Sequence, residues 1–166
     1  MTLLGIIYQH PKGNLDTRII SPRQRPDRRI VGTSGGQGYG RKRPALVPLV
    51  HLLLNGPHKV YDINGNLVPA PQDRDKIAVR GFFRGWKLPS RPYVGRVYKR
   101  DSDGLFEWRV KSANGNTIAV SHGQGFERAG KLRADGTPTP GTALASLVNV
   151  CHGDGHDVDG DTIHPA

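Results

Sequence analysis

The chain has 166 residues, enough for one domain with a buried core, and its formal charge is +10. Gly (22) and Pro (13) are frequent and only 36% of the residues are hydrophobic, so we expect long irregular segments around a modest core. The single cysteine, Cys151, excludes an internal disulfide framework and a cysteine-based zinc knuckle, and without an 18-residue apolar run we expect no membrane span.

The N-terminal segment, residues 1–44, combines a short apolar stretch with a basic one. Residues 2–8 (TLLGIIY) predict a strand, and because no basic residue precedes them we expect no secretion signal. Residues 21–44 (SPRQRPDRRIVGTSGGQGYGRKRP) contain many Arg and Gly and almost no large apolar side chains. Such a segment cannot bury enough surface to offset the entropy of ordering, so it predicts an extended basic arm or a flexible loop.

Residues 45–150 are predicted to form an α+β core that begins with a short helix. The sequence PLVHLLLNG (48–56) predicts this helix, with Pro48 in its first turn and Asn55-Gly56 at its end. Three leucines spaced for one helical face, Leu49, Leu52 and Leu53, predict that the helix packs on the rest of the core.

A hairpin is predicted next, within HKVYDINGNLVPA (58–70). Its turn is expected at Asn64-Gly65, because a type I′ turn requires positive φ angles that Asn and Gly adopt. Pro- and Asp-rich residues 69–75 predict a loop, and KIAVRGFFRGW (76–86) predicts a strand.

The clearest pattern is three strands followed by a helix, over residues 94–150. Residues 93–100, 105–111 and 117–121 predict strands joined by Asp/Gly and Asn-Gly turns. Thr139-Pro140 supplies an N-cap and a first helical residue for a helix that carries Leu144, Leu147, Val148 and Cys151 on one side.

An internal alignment relates the two Asn-Gly hairpins. Residues 60–70 (VYDINGNLVPA) align with residues 110–120 (VKSANGNTIAV), with identical Val, Asn, Gly and Asn at four places. The match indicates either a diverged duplication or two independent hairpins. The second interpretation is favoured because the shared residues are mostly turn residues.

Strand alternation sorts the three-stranded unit into two faces. The apolar face should receive the helix and carries Val97, Phe106, Trp108, Val110, Ile118 and Val120. The polar face carries Arg96, Tyr98, Arg100, Glu107, Arg109, Lys111, Thr117 and Ser121. The unit therefore predicts a core on one side of the sheet and a basic surface on the other.

The same residues resemble a known family. The stretch FEWRVKSANGNTIAVSHGQGF is similar to the signature of YegP-like small domains, through Phe106, Trp108, Arg109, Lys111, Asn114, Gly115, Ile118, Ala119, Ser121, Gly125 and Phe126. The resemblance implies a β-β-β-α fold and no particular activity. In that family the helix follows the aromatic residue closely, whereas here ERAGKLRADGTPTPG intervenes. The unit also resembles AP2-type DNA-binding domains through Tyr93-Val94-Gly95, the Trp in its second strand and the aliphatic third strand, which implies a sheet that contacts DNA.

Residues 151–166 contain Cys151, His152, His156, His164 and four Asp, but no Lys or Arg. These side chains are able to bind metals. The segment does not fit an EF-hand, because no register places Asp at positions 1, 3 and 5 with Gly at 6 and Glu at 12. We therefore expect no metal site but an irregular acidic tail that shields the basic body.

Together these patterns predict a small antiparallel three-stranded sheet packed on one helix, in an α+β protein with an extended basic N-terminal arm and an irregular acidic C-terminal tail. The predicted function is non-catalytic binding of nucleic acid through the arm and the exposed face of the sheet, without a cofactor. The predicted contacts are Arg23, Arg25, Arg28, Arg29, Arg41, Lys42, Arg43, Arg96, Arg100, Arg109 and Lys111.

Two other functions stay open at this point. The protein is a structural part of a large assembly, such as a phage particle, if the arm contacts neighbouring subunits. It is a metal-dependent HNH-like nuclease if RKRPALVPLVHLLLNG, around His51, forms the strand-to-helix entry of that class. A cytoplasmic location is expected, or a virion location if the protein is part of such an assembly.

Overall fold

A computed structural model describes residues 2–34, 38–55, 58–70, 92–123 and 125–165. The strands are β1 (Leu4–Gln9), β2 (Leu15–Ile20), β3 (Ile30–Thr33), β4 (Lys59–Tyr61), β5 (Leu67–Val68), β6 (Val94–Lys99), β7 (Phe106–Lys111), β8 (Thr117–Ser121) and β9 (Asp157–His164). The helices are α1 (Lys42–Leu54) and α2 (Ala143–His152), and a 3-10 turn lies at Pro26–Arg28.

The strands form one mixed sheet in the order β5-β4-β6-β7-β8-β3-β2-β1-β9. β4 runs parallel to β6 and β9 runs parallel to β1, whereas the other neighbours are antiparallel. α1 packs on β1, β2 and β9, and α2 packs on β4, β6 and β7. The predicted three-stranded sheet on one helix is therefore wrong. β6, β7, β8 and α2 do form as expected, but within a nine-stranded sheet that carries two helices in the described ranges.

The prediction that residues 21–44 form an extended arm is also wrong. β3, from the middle of residues 21–44, lies at the centre of the sheet, where Thr33 pairs with Arg18 of β2 and with Val120 of β8. The connection before it is closed by a backbone hydrogen bond from Ser21 to Arg29 (2.8 Å). β3 contains Ile30 and Val31, but a central strand of only four residues is stabilised mainly by backbone hydrogen bonds to its two neighbours.

The irregular acidic tail is wrong for a related reason. Residues 157–164 form β9, an edge strand beside β1, with Val158 buried. The segment before the strand is anchored by His156, whose Nδ1 accepts the backbone N–H of Leu3 (3.0 Å). The Nε2–H of the same ring donates to the carbonyl of Asn149 (2.6 Å). A histidine that was considered as a metal ligand instead satisfies buried backbone groups.

The helix boundaries also differ from the expected ones. α1 begins at Lys42, so Pro48 lies inside the helix and not in its first turn. The N-cap of α2 is Thr142, whose Oγ1 accepts the N–H of Ala145 (3.2 Å), and not Thr139. Propensity alone could not place these ends, because burial against the sheet decides how far a helix continues.

The hairpin at Asn64-Gly65 forms, but its turn is not type I′. Among the described residues only glycines have positive φ, so Asn64 lacks the angle that a type I′ turn requires. Gly65 and Gly115 both have φ +82°, and each donates its N–H to the carbonyl three residues earlier at 3.0 Å. The predicted strand over 76–86, and residues 71–75 of the predicted loop, lie outside the described residues.

The order of elements occurs twice along the chain. We call β1-β2-β3-α1-β4 the first repeat and β6-β7-β8-α2-β9 the second repeat. The last strand of each repeat pairs with the first strand of the other, β4 with β6 and β9 with β1. A pseudo-two-fold axis therefore passes between the central strands β3 and β8. In this repeat Leu4 corresponds to Val94. The internal alignment of residues 60–70 with residues 110–120 does not follow the repeat, because the two Asn-Gly hairpins occupy different places in it.

Packing contacts confirm the correspondence between the repeats. A Cβ atom at Gly5 would lie 2.7 Å from the side chain of Leu49, and one at Gly95 would lie 2.8 Å from that of Leu147. Both glycines therefore allow a helix leucine to touch the sheet backbone. This close approach sets the distance between each helix and the first strand of its repeat.

Two buried histidines have the same role in the two repeats. His58 accepts the N–H of Tyr93 at Nδ1 (3.0 Å), and its Nε2–H donates to two carbonyls in the last turn of α1, at 3.0 Å each. His156 makes the equivalent contacts to Leu3 and to the last turn of α2. Each imidazole is therefore a neutral Nε2–H tautomer that links a helix end to the residue before a first strand.

One hydrophobic core lies between the sheet and the helices. Trp108, Leu46, Leu52, Leu53, Leu144 and Leu147 are among its fully buried side chains. Leu3, beside β9, and Val68, in β5, line the same cleft although they belong to opposite ends of the sheet. The sheet therefore curls around the two helices, and its other face points outward.

Candidate nucleic-acid interface

The candidate interface is the face of the sheet opposite the helices, which we call the open face. Gly5, Ile19, Gly95 and Val110 point to the helices, so the residues that alternate with them point away. Both helices lie on the other side, and in the described ranges no helix covers the open face.

A continuous row of directly paired residues crosses the open face. Its members, each paired with the next, are Tyr61, Arg96, Arg109, Val120, Thr33 and Arg18. The row spans six strands, from β4 to β2. Three arginines and a tyrosine are therefore aligned across the middle of the sheet, where Arg96 and Arg109 are exposed and Arg18 and Tyr61 are half-buried.

Each arginine of the row lies over a tyrosine ring. The Cζ atom is 4.3 Å from the ring centroid for Arg96 over Tyr61, and 5.8 Å for Arg109 over Tyr98. For Arg18 over Tyr8 of β1 the distance is 3.4 Å. Stacking orients the planar guanidinium, and its N–H groups remain able to donate at the edge to a carboxylate or a phosphate.

Two acidic side chains lie on this face beside the tyrosines. Glu107 pairs with Tyr98 across β6 and β7, and its Oε1 accepts from Nη2 (3.0 Å) and Nε (3.2 Å) of Arg109. Asp16 pairs with Tyr8 and lies 3.2 Å from Nε2 of His10. Arg109 is exposed and Glu107 is half-buried, so the pair adds little stability and its main effect is to orient Arg109.

The electrostatic effect of Arg18 extends to the end of β8. His122 is exposed, but partial desolvation of its ring lowers its pKa, and the positive charge of Arg18 lowers the pKa further. His122 is therefore mainly neutral near pH 7, and the excess positive charge of this region comes from the arginines.

Three of the predicted contact residues, Arg96, Arg109 and Lys111, meet on the open face. Arg100 lies after β6, where its guanidinium donates to the carbonyl of Gly123 (3.3 Å) and lies 3.7 Å from Asp103. It therefore also closes the β6–β7 turn.

The other predicted contacts lie elsewhere in the fold. Arg23, Arg25, Arg28 and Arg29 are exposed in the β2–β3 connection, and Arg28 lines a cleft of about 770 Å³ beside α2 on the helix side of the sheet. Arg41, Lys42 and Arg43 lie at the start of α1, where the Nζ of Lys42 donates to the carbonyl of Asp161 in β9 (3.3 Å). The structure thus divides the predicted set among three places.

The face assignment is confirmed for β6 and β7, and for Thr117 of β8, which pairs with Lys111, but it is wrong for Val120. Trp108 is fully buried, whereas the side chain of Arg109 is 46% exposed. In β8, however, Ala119 pairs with Val110 and is buried, so Val120 points to the open face beside Arg109. A β-bulge between Val110 and Lys111 shifts the register by one residue, which alternation within one strand cannot reveal.

The open-face residues predicted from the sequence did not include Arg18, Tyr8 or Tyr61. The first two could have been found by aligning LGIIYQ (4–9) with VGRVYK (94–99), and LDTRII (15–20) with FEWRVK (106–111). These two alignments share only one Gly, one Tyr and one Arg among twelve positions, so the repeat is recognised only once the topology is known.

His51, the residue of the nuclease alternative, is buried. Its Nδ1 lies 2.8 Å from the amide of Asn55, and its ring contacts that of Tyr93 edge-on at 4.4 Å. In the described part of the chain, no group of three or more His, Cys, Asp or Glu residues is arranged to hold a metal ion.

Comparison with family models, curated proteins and solved structures yields no match for this chain. The resemblances to YegP-like and AP2-type domains therefore stay predictions. None of the helices in the described residues has the length and apolar character needed to cross a membrane.

Proposed function

We propose that the protein binds nucleic acid without catalysing a reaction, through the open face of its sheet. The observation that carries this proposal is the row in which Arg18, Arg96 and Arg109 are each stacked on a tyrosine. A planar, preoriented guanidinium suits bidentate contact to a phosphate, and contact of this kind requires no cofactor.

The polyanionic class of ligand follows from the charge of the chain and the shape of this face. The chain carries a formal charge of +10, and the open face adds Lys111 to the arginines of the row. Tyrosine rings beside arginines also allow contact with bases, because every base has a π-face.

The proposal is tested by the salt dependence of binding. We expect the affinity for a fluorescent duplex to fall steeply with salt, because each neutralised phosphate contributes about −0.9 to the log–log slope. Arg96→Gln combined with Arg109→Gln is expected to reduce the slope by about two such units and to weaken binding at least about tenfold.

A matched control is Arg133→Gln. Arg133 is exposed and contacts Asp135 and Thr137, in a loop that borders the cleft on the helix side. It removes one positive charge, against two in the double variant, from a different surface and is expected to leave the slope within about 0.9 of the unmodified value, one phosphate at most. Affinity that does not change with salt, or an equal loss in the control, would refute binding through the open face.

A further inference from the structure

The two repeats have diverged at most positions but retain a small set of residues. One retained group maintains the fold: Gly5 and Gly95 allow the helices to approach, and His58 and His156 link the helix ends. Ser34 and Ser121 belong to it too, because their Oγ atoms accept the N–H of Thr17 and of Trp108, each at 3.1 Å. Each of these residues has a packing or hydrogen-bond reason to persist.

The second retained group lies on the open face. Tyr8 corresponds to Tyr98 and Arg18 to Arg109, with an acid, Asp16 or Glu107, beside each tyrosine. The guanidinium lies over the ring in both repeats. Unlike the first group, these arginines hold no helix and fill no core, so their retention indicates a common ligand contact.

The pseudo-two-fold axis relates these two arginine–tyrosine pairs. Thr33 and Val120 correspond to each other and are paired directly, and Arg18 and Arg109 flank them in the row. Three strand spacings therefore separate the two arginines, about 14 Å between their Cα atoms. An axis through an antiparallel strand pair is perpendicular to the sheet, so it emerges from the open face between the two arginines.

The rest of the open face differs between the repeats. Ile6 occupies the position of Arg96, and Ile20 that of Lys111. The second repeat therefore adds positive charge beside a contact point that both repeats share.

We infer that the ligand of the open face is double-stranded, and that each repeat contacts one of its two strands; this inference rests on the proposed function. The strands of a duplex are antiparallel and are related by two-fold axes perpendicular to the helix, so a two-fold surface presents the same donor to each. An arginine spacing of about 14 Å is comparable to the major-groove width of about 12 Å. A single strand has one direction and cannot meet both pairs equivalently.

The test compares a duplex of about two helical turns (~20 base pairs) with each of its single strands, at the same salt concentration. We expect the duplex to bind at least about tenfold more tightly, a difference of about 1.4 kcal/mol. Arg18→Gln and Arg109→Gln are expected to weaken duplex binding by the same factor to within about threefold, since both remove an equivalent phosphate contact. Arg133→Gln serves again as the control.

Arg18 is half-buried, so folding of Arg18→Gln is checked by its melting temperature. If that variant does not fold, Arg18→Lys and Arg109→Lys replace the pair, because lysine keeps the charge but loses the planar stacking. The two lysine variants are expected to show equal and smaller losses.

Each other outcome gives a definite answer. Single strands that bind as tightly as the duplex overturn the inference but leave the proposed function standing. The inference is also overturned if the Arg109 variants lose duplex affinity while the Arg18 variants bind as well as Arg133→Gln. The two arginine–tyrosine pairs would then not be equivalent. If neither duplex nor single strand binds, the proposed function fails and the inference fails with it.

Discussion

The two repeats keep the same backbone contacts but fill their interiors differently. Thr17 and Trp108 occupy corresponding positions in β2 and β7, and each donates its N–H to an equivalent serine. Only the second repeat has a large aromatic there, and Gly32 of the first repeat makes room for it, since a Cβ at Gly32 would lie 2.7 Å from the indole. The two repeats therefore share hydrogen-bonding positions but differ in where their side-chain volume lies across the pseudo-two-fold axis.

Separating the repeats should have the largest effect on this arrangement. Residues 1–70 and residues 92–166, produced as separate chains, are each expected to stay unfolded, because β4 and β9 pair with the opposite repeat. Mixed, they are expected to form a folded 1:1 complex, measured by circular dichroism and size-exclusion chromatography. A fragment that folds alone as a monomer would show that the exchanged strands are dispensable.

Trp108→Ala and Thr17→Ala compare the two equivalent interior positions. We expect about 3–5 kcal/mol lower free energy of unfolding for Trp108→Ala, which opens a cavity and removes the indole hydrogen bond to Ser146 (2.9 Å). Thr17→Ala should cost about 1 kcal/mol, as point substitutions on average do. Urea denaturation measures both, and equal losses would contradict the unequal filling of the two repeats.

His58→Leu and His156→Leu test whether the two helix-end links are equivalent. Each change removes the acceptor of a buried backbone N–H, that of Tyr93 or that of Leu3, so a loss of about 2–3 kcal/mol is expected in both variants. His122→Leu, at an exposed histidine, is the control and should change stability by about 0.5 kcal/mol or less. A loss of stability in only one of the two variants would contradict this prediction. It would show that the repeats share a topology but that the histidine link stabilises only one of them.

The smallest expected effect is on stability above pH 10. It arises from Tyr93, which lies before β6 at the position that Leu3 occupies before β1. Burial raises the pKa of Tyr93 to about 12, with a further contribution from Tyr39. Because the folded pKa exceeds the ordinary value of 10.0, the stabilisation is complete below pH 10 and is lost as the pH rises toward 12. Tyr93→Phe should flatten this part of the stability–pH curve, measured by chemical denaturation at several pH values. An unchanged slope would show that Tyr93 does not titrate in this range.

The β-β-β-α unit shows how much local sequence could predict. Alternation located β6 and β7, and the Asn-Gly and Asp/Gly turns located the connections between strands. The basic face followed from the same alternation, because Trp108 and Arg109 must point in opposite directions. These features depend on residues close together in the chain.

The sequence by itself determined β6, β7, β8 and α2, the buried tryptophan and the exposed arginines of the second repeat, because each depends on local periodicity and turn chemistry. Only the tertiary structure decided the rest. β3 and β9 looked like arm and tail because their stability comes from backbone hydrogen bonds to distant strands, not from their own apolar side chains. The row of stacked arginines has the same origin, since Arg18 and Arg109 share a face only when β3 and β8 join the two repeats.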